Sequence, residues 1–424
     1  MIISLRAERD GGLAKEEIKN ALLSALKGRI LRKVLLVPPD FTRFHSNAGY
    51  ITNVYYHALK DIAQVDIIPA LGTHVKMSKD ECAEMFGDIP YDKFIEHKWR
   101  TDVVKVGTVP ADFLTEISEG TWSTPVDCEV NKILFDGYDL IISIGQVVPH
   151  EVVGMSNHSK NILVGLGGSK FINASHMVGA LYGLERMMGK DNTVTRKLFD
   201  YCITNFLSEL PILWVLTVTT APDGNIQTHG LFIGEGRKPL EDAIALSQLK
   251  NLDLVDKPIN KCVVYLTPKE FKSTWLGNKS VYRTRMAIVD GGELLVLASG
   301  IEKFGEDDKV DELIRKYGYV GRERVLELFK TEQELKDNMG TAAHLIHGSS
   351  DGRFTITYAV KRITKKEIEG VNFRYANYDD VVKRYNPDKL QLGWNTMPDG
   401  EEIYFIPNPA LGLWMCKDKL IEKQ

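Results

Sequence analysis

Short apolar runs alternate with helical segments along the first half of this 424-residue chain, and this alternation restricts the folds it can adopt. The clearest apolar runs cover residues 33–39, 65–74 and 138–150, and an amphipathic segment over 47–63 follows the first run. Strands that alternate with helices indicate βαβ units and a parallel sheet. The sequence therefore predicts an α/β protein, with Ser78 as the N-cap of a further helix.

The chain length predicts two domains, because one hydrophobic core rarely serves more than about 300 residues. A charged and weakly patterned stretch covers 235–260, and a new strand pattern follows it at 261–266. The alternation then continues, with strand patterns at 291–299 and 354–360 and helix patterns at 307–318 and 321–330.

We therefore predict two α/β domains with largely parallel sheets and a ligand cleft between them. The predicted boundaries are 1–250 for the N-terminal domain and 261–408 for the C-terminal domain. A short terminal helix over 409–424 is expected to return to the first domain.

Composition excludes several classes of protein. A formal net charge of -4 provides no basic field that would attract nucleic acid. No apolar stretch approaches the length of a membrane span, and the N-terminus lacks a long apolar segment. Five scattered cysteines without a CxxC pair indicate reduced thiols in a cytoplasmic protein rather than a disulfide framework or a zinc cluster. These cysteines are Cys82, Cys128, Cys202, Cys262 and Cys416.

Side chains suited to acid–base chemistry and anion binding follow the apolar runs. Asp40, Thr42 and Arg43 come directly after the first run, while His74 and His150 end the second and third. In parallel sheets the ligand crevice lies beyond the carboxyl ends of the strands, so these side chains are expected to converge. Two histidines facing one carbon can serve as acid and base from opposite sides. The alternative is that each histidine caps a backbone carbonyl and that the arginine forms a surface ion pair.

A lysine and a glycine-rich run follow the third strand. Gly165, Gly167 and Gly168 could let backbone amides approach a phosphate, although close helix–sheet packing explains them equally well. The run is not a dinucleotide fingerprint, because Lys170 stands where the third glycine would be. Lys160 could be a covalent or electrostatic anchor for a cofactor, or a solvated loop lysine.

The order and spacing of these residues resemble the nickel-pincer lactate racemase family over roughly the first half of the chain. The pattern is Asp-x-Thr-Arg, a histidine, a second histidine, a lysine ten residues on and a histidine sixteen further. The matching positions here are Asp40, Thr42, Arg43, His74, His150, Lys160 and His176.

The resemblance implies roles for the strand-end residues. His74 and His150 would be the catalytic acid–base pair, and Arg43 would contact the substrate. Asp40 and Thr42 would contact the nucleotide part of the cofactor. The N-terminal domain would then be the cofactor-binding and catalytic domain.

The cofactor that the resemblance implies is the nickel-pincer nucleotide, a pyridinium-3,5-bisthiocarboxylic acid mononucleotide bearing nickel. Lys160 would form a thioamide link to it, and His176 would ligate the nickel. Imidazole suits nickel, and the cofactor itself supplies the soft sulfur ligands. The lack of a cysteine cluster is therefore no argument against a metal.

The second half supplies candidates for choosing the substrate. The stretch TWLGNKSVYRTR occupies the place of a polar segment in lactate racemases but differs from it, which favours a substrate other than lactate. Polar or amphipathic candidates for a substrate pocket are Asn278, Lys279, Tyr282, Arg283, Trp394 and Asn395, the last two in a predicted loop. His344 and His347 have helical metal-binding spacing, but a satisfied pair at a helix end is the favoured interpretation, and His158 is interpreted as a surface or supporting residue.

These observations lead to a functional expectation. The protein is expected to be a racemase or epimerase that inverts C2 of a 2-hydroxy acid, with an aldonate favoured over lactate. The expected partners are this small molecule and cofactor-synthesis proteins. Two alternatives stay open: an NAD-dependent sugar-acid oxidoreductase, for which no dinucleotide site is found, and a non-catalytic nickel or cofactor carrier.

Overall fold

The computed structural model describes residues 2–8 and 11–418. These residues form two compact units, one made of the described residues up to 178 and of 186–251, and the other of 179–185 and 252–418. Among the described residues no helix combines the length and apolar character needed to cross a membrane.

The described residues of the first unit form ten strands. They are β1 (Ile3–Arg6), β2 (Lys33–Val37), β3 (Gln64–Ile67), β4 (Val103–Val109), β5 (Val126–Asn131), β6 (Leu140–Gln146), β7 (Pro149–His150), β8 (Gly154–Met155), β9 (Ile212–Thr220) and β10 (Gln227–Gly234). The helices that begin before residue 251 are α1 (Lys15–Ser24), α2 (Ala48–Leu59), α3 (Lys79–Phe86), α4 (Ala111–Ile117), α5 (Ser159–Leu163), α6 (Ser169–Tyr182), α7 (Leu184–Met187), α8 (Val194–Phe206) and α9 (Lys238–Lys250).

The central sheet of the first unit has the order β1-β10-β9-β6-β2-β3. Strands β9, β6, β2 and β3 are parallel, and β10 and β1 add an antiparallel edge. Both faces are covered: Leu35 and Val37 lie in one hydrophobic cluster, while Val34 and Leu36 lie in another. A sheet buried on both faces explains why its strands read as continuous apolar runs.

In the described residues after 251, the second unit contains eight strands and eight α-helices. Its strands are β11 (Asp253–Val255), β12 (Ile259–Tyr265), β13 (Ile288–Ala298), β14 (Thr355–Val360), β15 (Arg374–Asn377), β16 (Gly393–Thr396), β17 (Glu402–Ile406) and β18 (Trp414–Cys416). Its helices are α10 (Thr274–Gly277), α11 (Lys279–Tyr282), α12 (Asp308–Tyr317), α13 (Arg322–Thr331), α14 (Gln333–Asp337), α15 (Met339–His347), α16 (Lys365–Gly370) and α17 (Tyr378–Arg384). The main sheet has the order β15-β14-β13-β12-β17-β16, in which only β16 is antiparallel to its neighbour.

The predicted α/β class with mainly parallel sheets is therefore confirmed. The predicted helix start at Ser78 is also confirmed, since its side chain accepts a hydrogen bond from the Glu81 amide at 3.2 Å.

Three element predictions were wrong. The second apolar run ends as a strand at Ile67, seven residues before His74. Trp394 lies in strand β16 rather than in a loop, because it pairs with Tyr404 on β17. The predicted terminal helix over 409–424 contains β18, which pairs with β11 in parallel, and residues 419–424 lie outside the described part of the chain.

Candidate functional site

The loop after β2 is built around the Asp40 carboxylate. Asp40 caps a 3₁₀ helix over Phe41–Ser46, and its Oδ1 accepts hydrogen bonds from the Thr42 amide at 3.1 Å and the Thr42 hydroxyl at 2.5 Å. In this loop the Asp40 residue is buried, whereas Thr42 and Arg43 are exposed. The predicted contacts of Asp40 and Thr42 with a nucleotide remain predictions, and in this structure the two side chains bind each other.

The second oxygen of Asp40 binds His74. The distance from Asp40 Oδ2 to His74 Nδ1 is 2.5 Å, and the histidine ring is 58% exposed. Burial by itself would raise the pKa of Asp40, but the hydrogen bonds from His74 and Thr42 and the positive charges nearby lower it below its usual value. A carboxylate only accepts hydrogen bonds, so Nδ1 carries the proton and Nε2 of neutral His74 keeps a lone pair. His74 is therefore oriented as a base.

His150 has the opposite arrangement. It lies in β7, buried, and its Nδ1 accepts a hydrogen bond from the Val152 amide at 3.1 Å. Burial lowers its pKa well below the usual value, Glu151 opposes this, and Lys160 and Arg43 add to it. The neutral ring therefore carries its proton on Nε2, where it can donate a hydrogen bond.

Lys160 lies in the first turn of α5, directly after the β7–β8 hairpin. Burial and the neighbouring charge of Arg43 lower its pKa to about 8, and Glu151 acts in the other direction. Roughly a tenth of such amines are unprotonated at pH 7, against far fewer for an ordinary lysine. Because the neutral amine is the nucleophile, Lys160 is chemically suited to forming a covalent link.

His176 lies on α6 with one ring nitrogen already engaged. Its Nδ1 donates to the carbonyl oxygen of Ile172 at 2.7 Å. Burial and the charge of Lys160 lower its pKa to about 4, so the ring is neutral near pH 7. Nε2 then offers a lone pair, and a backbone acceptor on the other nitrogen is the usual arrangement for a metal-ligating histidine.

Glu151 is a member of the site that the sequence prediction missed. Its charge raises the pKa values of His150, Lys160 and His176. The distance from His150 Nδ1 to Glu151 Oε2 is 4.0 Å. Its position next to His150 in the sequence was the available signal. The charge effects that these residues exert on one another place Arg43, His150, Glu151, Lys160 and His176 in one electrostatic neighbourhood.

The glycine run has a packing explanation. A side chain at Gly165 or Gly167 would overlap the carbonyl oxygens one turn earlier in the chain, and one at Gly168 would overlap the carboxylate of Glu129. These close approaches explain why glycine occupies the three positions, and the explanation does not require a ligand. The predicted role of the run in phosphate binding stays a prediction.

Among the described residues, no group of three or more His, Cys, Asp or Glu could hold a metal ion. His176 offers one nitrogen lone pair, and the charge of Lys160, whose own pKa is lowered to about 8, acts on it. This donor set fits a metal that arrives with ligands of its own, as a metal-bearing cofactor does, rather than a metal held by protein side chains alone.

The substrate candidates of α10 and α11 are held in the second unit. Asn278 is fully buried, and its Oδ1 accepts a hydrogen bond from the Tyr358 hydroxyl at 2.7 Å. Lys279 places its Nζ 5.9 Å from the centre of the Phe271 ring, and Tyr282 is 8% exposed. Asn278 thus has a structural role, and the substrate roles of all three remain predictions.

The remaining substrate candidates also have structural contacts. Arg283 donates to the carbonyl oxygen of Gly412 at 3.1 Å. Trp394 is 38% exposed, with Lys257 Nζ 4.4 Å from its ring centre. Asn395 donates back to the carbonyl oxygens of residues 391 and 393. None of these contacts tests the predicted role in substrate binding.

Two further histidines have mainly structural surroundings. His158 is 4% exposed rather than on the surface, because its ring packs on Trp214 at 4.0 Å and its Nε2 bonds to the Gly236 carbonyl oxygen at 2.9 Å. His344 stacks on Trp275, with 4.2 Å between ring centres. The surface alternative for His158 was therefore wrong, and the supporting alternative stays a prediction.

Comparisons with known proteins agree with this fold. Residues 13–187 match the lactate racemase N-terminal domain. A lactate racemase from Lactiplantibacillus plantarum is 27% identical over 150 residues, which cover 34% of this chain and 32% of that enzyme. The matched segment thus spans about a third of the curated relative.

Two solved structures share the fold. A protein from Thermotoga maritima has a TM-score of 0.77 and 23% identity, and the match covers 97% of this chain and 100% of that one. The lactate racemase apoprotein from Thermoanaerobacterium thermosaccharolyticum has a TM-score of 0.69 and 15% identity over 95% and 93% of the two chains. The structural matches show a shared α/β fold. Over residues 13–187 the chain is similar to the lactate racemase N-terminal domain, and over most of its length it shares the fold of the two solved structures.

Proposed function

We propose that the protein is a racemase or epimerase that inverts the C2 hydroxyl carbon of a 2-hydroxy acid. Two observations carry the proposal: Asp40 orients His74, and the buried His150 in the same unit is influenced by the charges of Lys160 and His176. The match to a lactate racemase N-terminal domain supports the same reaction class.

Lys160 and His176 would hold a nickel-pincer nucleotide. Lys160 would form the covalent link through its neutral amine, and His176 would give its Nε2 lone pair to the nickel. When bound, this cofactor supplies a site that accepts and returns hydride. The protein supplies orientation and proton transfer.

His74 is the better placed of the two histidines to remove the substrate hydroxyl proton. Its Nε2 has the lone pair, and the Asp40 carboxylate stabilises the imidazolium that forms. Proton transfer by general acid–base groups contributes roughly 100- to 10,000-fold to a rate.

His150 needs one change before it can take a proton on Nε2. Its Nδ1 must release the Val152 amide and carry a proton, and Glu151 is the carboxylate beside it, with Oε2 4.0 Å away. Glu151 would then accept a hydrogen bond from Nδ1 of His150, as Asp40 accepts one from Nδ1 of His74. This difference between the histidines fits a reaction in which each acts on one stereoisomer.

Arg43 would bind the C1 carboxylate of the substrate. Its charge acts on Asp40, His150 and Lys160, so it lies among the proposed catalytic groups. A guanidinium presents a fork of donors that matches the two oxygens of a carboxylate. This contact would fix C2 relative to the histidines.

A hydroxylated acid such as an aldonate is the proposed substrate rather than lactate. The proposal rests on the polar candidates at Lys279, Tyr282 and Arg283, in a stretch whose sequence departs from the lactate racemases that it resembles. A polar pocket rejects a short apolar side chain, because its donors and acceptors would stay unpaired when buried. Cofactor-synthesis proteins are proposed as the partners that load the enzyme.

The test is a stereochemical assay on protein produced with nickel in a host that makes the cofactor. Single stereoisomers of lactate and of several aldonates are incubated without NAD, and the products are separated by chiral chromatography. Appearance of the C2 epimer is expected. Turnover that requires NAD would favour the oxidoreductase alternative, and nickel-loaded protein that converts no acid in the panel would favour a carrier.

A further inference from the structure

A buried arginine on α8 holds the loop that leads to Lys160. Arg196 is 1% exposed, and its guanidinium donates to the Ser159 hydroxyl oxygen and the Met155 carbonyl oxygen, both at 2.6 Å. It also reaches the Asn157 carbonyl oxygen at 3.4 Å. All of these acceptors lie within five residues of the chain, immediately before Lys160.

This loop has an unfavourable backbone conformation. Asn157 and His158 are consecutive non-glycine residues with φ angles of 65° and 56°. Residues with a Cβ rarely adopt such angles, and here the Asn157 side-chain oxygen accepts a hydrogen bond from the His158 amide at 2.7 Å. Surrounding contacts stabilise the loop. Ser156 donates to the Gln146 carbonyl oxygen and His158 to the Gly236 carbonyl oxygen, while Arg196 binds Met155, Asn157 and Ser159.

The ion pairs around Arg196 show that its charge is not used for a direct salt bridge. Asp191 and Asp200, whose charges influence Arg196, are both bound by the guanidinium of Arg237. Nε of Arg196 has no hydrogen-bond partner among the described residues. A buried charge is costly to desolvate, and an apolar residue would fill such a space at lower cost. The hydrogen bonds to the loop are therefore the reason for an arginine at this position.

We propose that Arg196 is a positioning residue, which fixes the loop over residues 155–159 so that Lys160 enters α5 in the orientation needed to anchor the cofactor. The inference rests on the proposed function, since it concerns the same lysine. It assigns Arg196 no contact with substrate or cofactor. Lys160 follows directly on Ser159, so a shift of the loop moves the lysine with it.

Three variants separate positioning from general stability. Arg196→Met removes the donors at similar volume, and Arg196→Lys keeps the charge and some of the hydrogen bonds. Leu198→Ala is the matched control, because Leu198 is buried on the same helix but two residues away, on a different side of it. The assay temperature for each variant is set at the same interval below its Tm.

The first measurement is hydrogen exchange of the amides of residues 155–163 in protein without cofactor. Arg196→Met should exchange roughly tenfold faster there, with Arg196→Lys in between and Leu198→Ala unchanged. The second measurement is the fraction of the Lys160 peptide that carries cofactor mass after production in a competent host. This fraction should fall by roughly tenfold in Arg196→Met and recover in part in Arg196→Lys.

The outcomes are distinguishable. Wild-type exchange and full cofactor occupancy in Arg196→Met would overturn the inference, and so would an equal loss in Leu198→Ala. If Arg196→Met does not fold, the comparison of Arg196→Lys with Leu198→Ala decides the same question. If wild-type Lys160 carries no cofactor, the covalent part of the proposed function fails. The hydrogen-exchange measurement would still show whether Arg196 stabilises the loop over residues 155–159.

Discussion

Asp40→Asn tests whether the carboxylate sets the proton position on His74. Asp40 Oδ1 already accepts two hydrogen bonds from Thr42, and Oδ2 accepts the one from His74. An asparagine in this place keeps its single carbonyl oxygen on Thr42 and turns its amide group toward His74. The amide is a donor, so Nδ1 of the histidine must accept, and the proton moves to Nε2.

The expected loss of catalytic rate follows from the position of the proton on the His74 ring. With Nε2 protonated, neutral His74 has no lone pair for the substrate hydroxyl. Loss of a general base costs roughly 100- to 10,000-fold, and trapping a catalytic histidine in the wrong tautomer lies toward the upper end. We expect a fall in kcat on the order of 1,000-fold, equivalent to about 4 kcal/mol in activation free energy. The KM should change little, because the substrate-binding groups are intact.

The assay is epimerisation of the preferred acid by cofactor-loaded protein, with nickel content measured in the same sample. Asp88→Asn is the control, because Asp88 forms a similar pair with His57 at 2.9 Å on the surface of the same unit. The control should epimerise at the wild-type rate. An Asp40→Asn variant with wild-type kcat would refute the assigned role of His74 as a base oriented by Asp40.

The remaining predictions concern the anchor, the metal, the substrate and pH. Lys160→Ala should lose the covalent cofactor mass seen by mass spectrometry, and an active, nickel-loaded protein with unmodified Lys160 would contradict the link. His176→Ala should lose nickel by elemental analysis, whereas His150→Ala should keep it and lose turnover by roughly 100- to 10,000-fold. Arg43→Ala should reduce kcat/KM for every accepted acid alike, and an effect confined to one acid would argue against carboxylate binding. The folded-state pKa of Asp40 lies below its ordinary 3.8, so its stabilising contribution should be full above that pH and disappear as pH falls through the lowered value. Urea midpoints of wild type and Asp40→Asn should therefore converge below about pH 4, and a constant difference down to pH 2 would contradict this.

The sequence predicted the sheet of the first unit well because its strands are buried on both faces. The runs at 33–39 and 138–150 contain β2 and β6, whose residues show almost no exposure. Parallel strands place their carboxyl ends at one edge of the sheet. The functional side chains that follow these strands were therefore expected to lie close together. His74 joins this edge through a loop and a hydrogen bond to Asp40, although it does not end a strand.

Features that depend on distant pairing could not be predicted in this way. Strand β18 exists because it pairs with β11, which lies about 160 residues earlier, and three apolar residues near a chain end look equally like a helix. Arg196 has no local pattern that connects it to a loop some 40 residues before it. Glu151 was overlooked because a glutamate beside a histidine is common, and only the folded structure shows that its charge reaches three site residues.

The central claim is that C2 is inverted by hydride transfer and not by proton exchange with water. The direct measurement uses one stereoisomer of the accepted acid with deuterium at C2, incubated with cofactor-loaded protein in ordinary water. The deuterium content of the epimer is then read by mass spectrometry. Hydride transfer to and from a bound cofactor predicts an epimer that keeps its deuterium. An epimer that has exchanged its deuterium for solvent hydrogen would contradict the account.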